Sequence, residues 1–171
     1  GLSSNAFALT NADDKNGRIM VQNTRAEVKT YALRSMADFK CRILEQSFDG
    51  MLLNIDEVEV WAQFIGNFNA YNLLVVYATT MMLLPSSPTT IMEVLQALST
   101  LTPVSGRFEI ITVPGRQKAI VDYAHTPDAL QNVLNTINEI RTWQAAENKI
   151  VTVVGCGGNR DKAKRPGMAR I

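Results

Sequence analysis

The segment KIVTVVGCGGNRDKAKR, Lys149–Arg165, decides how the chain is read. Its first part, Ile150–Val154, is an unbroken β-branched run, the pattern of a strand buried on both faces of a parallel sheet. Gly155-Cys156-Gly157-Gly158 follows, where the backbone can approach a ligand closely. A dense polar cluster comes next, made of Asn159, Arg160, Asp161, Lys162, Lys164 and Arg165. A helix is expected to start at or after Pro166, because proline suits the first helical turn. Ligands in open α/β sheets lie beyond the carboxyl ends of strands. This end is rich in cations, so an anionic ligand is the first expectation. The standard phosphate motifs do not supply it. G-x-x-x-x-G-K-[ST] occurs nowhere in the chain, and a dinucleotide fingerprint needs glycine where Arg160 stands. On spacing alone, a solvated charged turn reads equally well.

Upstream of that segment, Ala119–Tyr123 has strand character, and Thr126-Pro127-Asp128 opens a helix with a cap, a proline and an acid set against the dipole. The helix runs to about Trp143 and feeds Ile150. Ile120 to Val154 therefore reads as a βαβ unit with a right-handed crossover. Phe108–Val113 is a further strand, turned by Pro114-Gly115. Thr102-Pro103-Val104-Ser105-Gly106 is the linker candidate and divides the chain into 1–105 and 106–171.

Before the linker come two helices. The first begins at Gly66-Asn67-Phe68-Asn69, with Asn69 as its cap and Asn72 in its first turn, and stops at Leu84 before Pro85. The second starts at the capping box Thr90–Glu93 and sets Ile91, Leu95 and Leu98 on one face. Pro85–Pro88 connects them. Earlier still, Ala6–Thr10 is a short strand, Asn16–Gln22 a short helix, and Tyr31–Leu33 and Lys40–Gln46 are strand-like. Asp49-Gly50 is a hairpin signal leading into Met51–Ile55. Val58, Val60, Ala62 and Phe64 alternate with Glu59, Trp61 and Gln63, as in a half-buried antiparallel strand. The fifty-odd residues after the opening strand read as β meander, and the fold class as α/β.

Composition narrows the function classes. The 171 residues are 46% hydrophobic and 19% charged, enough for a core in one ordinary domain or two small ones. A net charge of +1 gives no global field to recruit nucleic acid or a membrane. Leu73–Leu84 is too short to span a bilayer and reads as a buried helix. Cys41 and Cys156 have neither disulfide-framework nor metal-ligand spacing, which fits a reducing compartment. A single histidine leaves no ordinary zinc site. Trp61 and Trp143 are expected to lie partly in the core. Both ends look cut, as in a fragment of a longer polypeptide.

Several residues carry possible chemistry. Asp122, at a strand end beside a helix start, is placed to accept bonds from ribose hydroxyls or to serve as a turn aspartate. His125 can meet a phosphate at the helix N-terminus or pack at the surface. No Ser or Cys nucleophile motif adjoins it, so a triad is not indicated. Arg107 can stack on a base, fork onto an anion, or make an interdomain salt bridge. Asn69 and Asn72 can offer amides to a nucleobase edge, or serve the helix start. Cys156 sits in a cationic loop of the kind that activates a thiol, with small apolar filler as the default reading.

Four blocks occur in order: Gly66-x-Phe68-Asn69-x-x-Asn72; Ser105-Gly106-Arg107-Phe108-Glu109; Val121-Asp122-Tyr123-Ala124-His125-Thr126-Pro127-Asp128; and Gly155-Cys156-Gly157-Gly158-Asn159-Arg160-Asp161-Lys162-x-Lys164-Arg165-Pro166. Together with Leu9-Thr10-Asn11-Ala12-Asp13-Asp14, they resemble the Mur ligases of peptidoglycan synthesis, and among these the MurE-type members. The resemblance spans nearly the whole chain, and the second half carries its most specific blocks.

The resemblance implies that 1–105 is the later half of the central ATP-binding domain, and that 106–171 starts the Rossmann-like C-terminal domain. The implied activity is ATP-dependent amide ligation. A diamino acid, meso-diaminopimelate or L-lysine, is joined to UDP-MurNAc-L-Ala-D-Glu through an acyl phosphate. Asn69 and Asn72 would face adenine, Arg107 and Asp122 the ribose, and His125 the nucleotide, while Arg160 would bind a carboxylate of the diamino acid. Asn159 stands where the family has aspartate. ATP and Mg2+ are the implied cofactors, with the phosphate loop and the magnesium ligands upstream of this segment. Accordingly, no catalytic or metal-binding residue is assigned here, and these 171 residues alone are expected not to catalyse ligation. The partners would be small molecules, with no nucleic acid and no membrane insertion, acting on a monomer in the bacterial cytoplasm. Two rival readings are a Rossmann-type module or oxidoreductase using a nicotinamide cofactor, and a non-catalytic interaction domain.

Overall fold

Alternation of apolar and polar side chains builds the sheet of the first part of the chain. The computed structural model describes residues 2–146, 149–156 and 161–171. These fall into two compact units that divide between Thr102 and Pro103.

In the first unit, five strands lie side by side in sequence order: β1 (Phe7–Asn11), β2 (Glu27–Ala32), β3 (Phe39–Ser47), β4 (Gly50–Ile55) and β5 (Val58–Ala62). The expected meander holds only for the last three, which pair antiparallel. β1 and β2 pair parallel, Phe7 with Glu27 through Asn11 with Tyr31, joined by the short helix α1 (Gly17–Val21). β2 also begins four residues before the expected Tyr31. It continues parallel into β3, but only Tyr31 with Phe39 and Ala32 with Lys40 are paired. The connection from Leu33 to Asp38 is too short to return the chain to the start of β2. Asp38 stands in for the missing ladder, accepting from the Thr30 amide at 2.8 Å and the Thr30 hydroxyl at 2.6 Å.

The hairpin forms where Asp49-Gly50 predicts it, with Gly50 opposite Ser47. Gly50 has φ +150°, and a Cβ there would lie 2.4 Å from the Ala62 carbonyl oxygen and 2.8 Å from the Trp61 ring. Only glycine admits that approach. Trp61 and Trp143, expected in the partial core, are exposed. Trp61 points to the polar face of β5, while Val60 and Ala62 point inward.

Helices α2 (Asn67–Leu83) and α3 (Pro88–Thr100) cover one face of this sheet. Ala70, Leu73, Leu74 and Tyr77 of α2 and Leu95 and Leu98 of α3 share a core with Cys41, Met51, Leu53, Ile55, Val60 and Ala62. Both helix starts differ from expectation. Gly66, not Asn69, is the N-cap of α2, and its amide donates to Gln46 Oε1 at 3.0 Å. Ser87, not Thr90, caps α3: its hydroxyl accepts from the Thr90 amide, and Pro88 occupies the first turn. Ser87 satisfies a free amide with its side chain, whereas Gly66 caps through its backbone, its carbonyl accepting from the Asn69 and Ala70 amides.

In the second unit, β6 (Glu109–Ile111) and β7 (Ala119–Val121) form an antiparallel pair. Helix α4 (Pro127–Trp143) starts as expected, with Thr126 Oγ1 accepting from the Ala129 amide at 3.2 Å. The expected strand at Ile150–Val154 is not formed. These residues take no strand pairing, and Val151 and Val153 are 86% and 94% exposed. A β-branched run favours extended backbone, but a strand exists only where a ladder partner meets it. β7 therefore pairs with β6 and not, as a βαβ unit requires, with that run. Helix α5 (Lys164–Arg170) begins before Pro166, which falls in its first turn where the missing amide costs nothing. Phe108, Leu130, Ile137, Ile140 and Met168 are the buried apolar residues of this unit.

Candidate functional site

The sequence-predicted residues lie on both units, and each set has its own geometry. In the first unit, Asn69 and Asn72 sit one turn apart at the start of α2. The Asn69 amide donates to the Ile65 carbonyl at 2.9 Å, so its side chain is committed to the helix entry. Asn72 is exposed and reaches only 3.5 Å to Asn69 Oδ1, leaving its carboxamide the freer of the two.

Between them stands Tyr71, which sequence reasoning passed over. Its hydroxyl donates to Asp13 Oδ2 at 2.7 Å. The same carboxylate accepts from the amides of Leu33 at 2.7 Å, Arg34 at 3.0 Å and Ser35 at 2.8 Å. Burial works to raise the Asp13 pKa. The hydrogen bonds from Ser35, Tyr71, Leu33 and Arg34 outweigh it and hold the carboxyl well below the usual carboxylate range. Burial and the bond to Asp13 push the Tyr71 phenol up to about 12.

In the second unit, Arg107, Asp122 and His125 are brought together around Tyr123. The Arg107 guanidinium lies 4.9 Å from the Tyr123 ring centroid, a cation–π contact. The His125 ring is 5.2 Å from the same ring, and its Nδ1 is 3.2 Å from the Tyr123 carbonyl oxygen. Asp122 Oδ2 accepts from the Phe108 amide at 2.8 Å, which fixes the turn just after Arg107. Glu109 holds the same turn from its other side, accepting from the Gly106 amide at 2.7 Å and the Ser105 hydroxyl at 2.9 Å. Those two bonds lower its pKa, the Gly106 amide first.

Lys164 adds a residue that sequence reasoning had not assigned. Its ammonium donates to the His125 carbonyl at 2.7 Å, joining the first turn of α5 to the turn that precedes α4. Nothing in the local sequence signals this pairing across 39 positions. Cys156, at the start of the glycine loop, meets Met168 Sδ at 3.7 Å. Arg160 and Asn159 lie outside the described residues.

The first unit offers an amide pair, and the second offers a carboxylate, a guanidinium, an imidazole and an aromatic face. These are groups suited to a base, a sugar and an anion. Among the described residues, no group of three His, Cys, Asp or Glu side chains could hold a metal ion. No helix among them is long and apolar enough to cross a membrane.

Comparison with known families assigns both units. The Mur ligase middle domain matches residues 1–80, and the Mur ligase glutamate ligase domain matches residues 106–171. The chain belongs to the Mur ligase family. A curated relative from Phocaeicola vulgatus, UDP-N-acetylmuramoyl-L-alanyl-D-glutamate--2,6-diaminopimelate ligase, is 58% identical over 99% of this chain. The chain spans about a third of that family member's length, 34%. A solved structure with the same enzyme name covers 96% of the chain at 29% identity, with a TM-score of 0.65, and the chain covers 34% of it. The MurF ligase of Thermotoga maritima, solved in complex with ADP, shares the fold at 17% identity and a TM-score of 0.59, covering 79% of the chain, which covers 31% of it.

Proposed function

We propose that this chain supplies part of an ATP-dependent ligase of peptidoglycan precursor synthesis, one that joins a diamino acid to UDP-MurNAc-L-Ala-D-Glu. The observation that carries the reading is 58% identity over 99% of the chain to a diaminopimelate-adding relative. Eight relatives, from 58% down to 36% identity, bear that acceptor in their names. Diaminopimelate is therefore the proposed acceptor, in preference to lysine.

In this reading 1–105 belongs to the central ATP-binding domain and 106–171 to the C-terminal domain. The Asn72 carboxamide has a donor and an acceptor for the edge of adenine, and Asn69 supports it. One Asp122 oxygen is committed to the Phe108 amide; the other is left for ribose hydroxyls. Arg107 joins it at the sugar, its five donors taking no hydrogen bond among the described residues, and His125 lies by the nucleotide. Arg160 takes a carboxylate of the diamino acid.

The glutamyl carboxylate oxygen attacks the γ-phosphorus and ADP departs. The amine of the acceptor then attacks the acyl carbon, and inorganic phosphate leaves. Magnesium supplies charge neutralisation at the phosphates. This chain's part is to bind and orient the adenosine and the acceptor, which lowers the entropic barrier to both steps. The enzyme is proposed to work as a monomer in the bacterial cytoplasm.

The test uses the full-length enzyme with UDP-MurNAc-L-Ala-D-Glu, ATP and Mg2+, following phosphate release. Release should depend on meso-diaminopimelate and be weak with L-lysine. Asp122→Ala should raise KM for ATP, and Arg160→Ala should raise KM for diaminopimelate alone. Release with no need for a diamino acid would overturn the proposal.

A further inference from the structure

We infer that Asp13 is a positioning residue for the adenine-side asparagines, acting through Tyr71; this rests on the nucleotide reading of Asn69 and Asn72. Asp13 belongs to the Asn11-Ala12-Asp13-Asp14 motif, to which the proposed mechanism gives no role. It lies just past β1, where the Asp13 amide donates to Asn11 Oδ1 at 2.9 Å. From there its carboxylate gathers the three successive amides of residues 33–35 beyond β2. Those three donors would suffice to order the loop. A fourth comes from a different element, the Tyr71 hydroxyl on α2, across 58 positions of sequence.

What that bond fixes follows from how α2 is otherwise held. Its inner face packs through Ala70, Leu73, Leu74, Tyr77 and Ala78. Apolar burial is strong but non-directional, so it sets the helix's depth better than its rotation. A hydrogen bond from a rigid phenol is directional. The Tyr31 ring meets Tyr71 edge-on, with centroids 6.4 Å apart at 72°, and limits the phenol's swing. Side-chain tips on a helix lie roughly 5–6 Å from its axis. A rotation of about 10° would thus carry the Asn72 amide about 1 Å, enough to spoil a productive geometry. Tyr71 adjoins Asn72 and lies two residues from Asn69, so the bond acts on the turn that bears both.

The experiment compares Tyr71→Phe, Asn72→Ala and the double variant in the full-length ligase, with steady-state kinetics and thermal melting. Tyr71→Phe removes the hydroxyl and keeps the ring against Tyr31. It should raise KM for ATP about five- to twentyfold, leaving kcat and the KM for diaminopimelate within about twofold. In the Asn72→Ala background the same change should add less than about twofold, because its effect runs through that amide. A lowered melting temperature with unchanged KM for ATP would overturn the inference and leave the nucleotide reading standing. An Asn72→Ala enzyme with unchanged KM for ATP would overturn both. Asp13→Asn, which keeps the size and removes the charge, should shift KM for ATP in the same direction as Tyr71→Phe; an unchanged KM would also overturn the inference.

Discussion

The two units hold their candidate residues by different means. In the first, Asn69 and Asn72 stand on a 17-residue helix whose inner face is sealed into a core of fully buried side chains such as Met51, Leu53, Ile55 and Leu74. In the second, Arg107, Asp122 and His125 stand on short connections around a two-stranded ribbon. The connections there are held by a few polar contacts: Asp122 on the Phe108 amide, Glu109 on the Gly106 amide and Ser105 hydroxyl, Lys164 on the His125 carbonyl. Packing seats the helix that carries the first set, with the Tyr71–Asp13 bond trimming its rotation, whereas individual hydrogen bonds tie down the connections that carry the second. Damage to packing should therefore be costly in the first unit, and damage to single polar groups should be local in the second.

The largest effect is expected from a cavity. Leu74→Ala removes a fully buried side chain from the core beneath α2 and should cost about 3–5 kcal/mol. Ile140→Ala, equally buried in α4, should cost only about 2 kcal/mol, because α4 and α5 have open faces and can close around the loss. Urea unfolding of both variants checks the contrast. A greater loss from Ile140→Ala would break it.

A polar group within the packed unit sharpens the comparison next. Asp13→Asn should destabilise the first unit by about 1–2 kcal/mol at neutral pH, since charge-assisted bonds to three amides and a phenol are weakened. The sign follows from the depressed pKa of Asp13. A carboxyl held below its unfolded value, about 3.9, contributes stability that is fully present above that value and fades as pH falls through the folded one. The gap between the parent and Asp13→Asn should hence be constant from pH 7 to about 5 and shrink below about 4. Melting curves across that range test it. A gap independent of pH would mean that the charge is not what Asp13 contributes.

Local signals were legible in the chain, and long-range pairings were not. Asp49-Gly50, the alternation from Val58 to Ala62, and Thr126-Pro127-Asp128 each encode their structure within a few residues, and each forms as read. The parallel pairing of β1 with β2 depends on Phe7 meeting Glu27, which no local pattern announces. Ile150–Val154 shows the converse error. Its composition speaks for burial in a sheet, yet composition does not choose a ladder partner. The N-caps of α2 and α3 went to Gly66 and Ser87 because several cap-competent residues adjoin each start, and three-dimensional context chose between them. Among the candidate residues, Asp122 and His125 lie close enough in sequence to be grouped by reading. Tyr71 and Lys164 could not be found that way, because their partners lie 58 and 39 positions away.

The smallest effect tests whether the second unit is held piecewise. Thr126 caps α4 and directly follows His125, so the cap fixes the geometry of the turn as well as the helix start. Thr126→Ala frees the Ala129 amide and should cost about 1 kcal/mol, with the loss confined to the first turn of α4. Hydrogen exchange should quicken there and remain unchanged at Ile137 and Ile140, which are buried farther along the helix. Thr126→Ser keeps the accepting oxygen and should restore protection. Loss of protection along the whole of α4 would instead show a unit that opens all at once, and the contrast between packed and tethered placement would then fail.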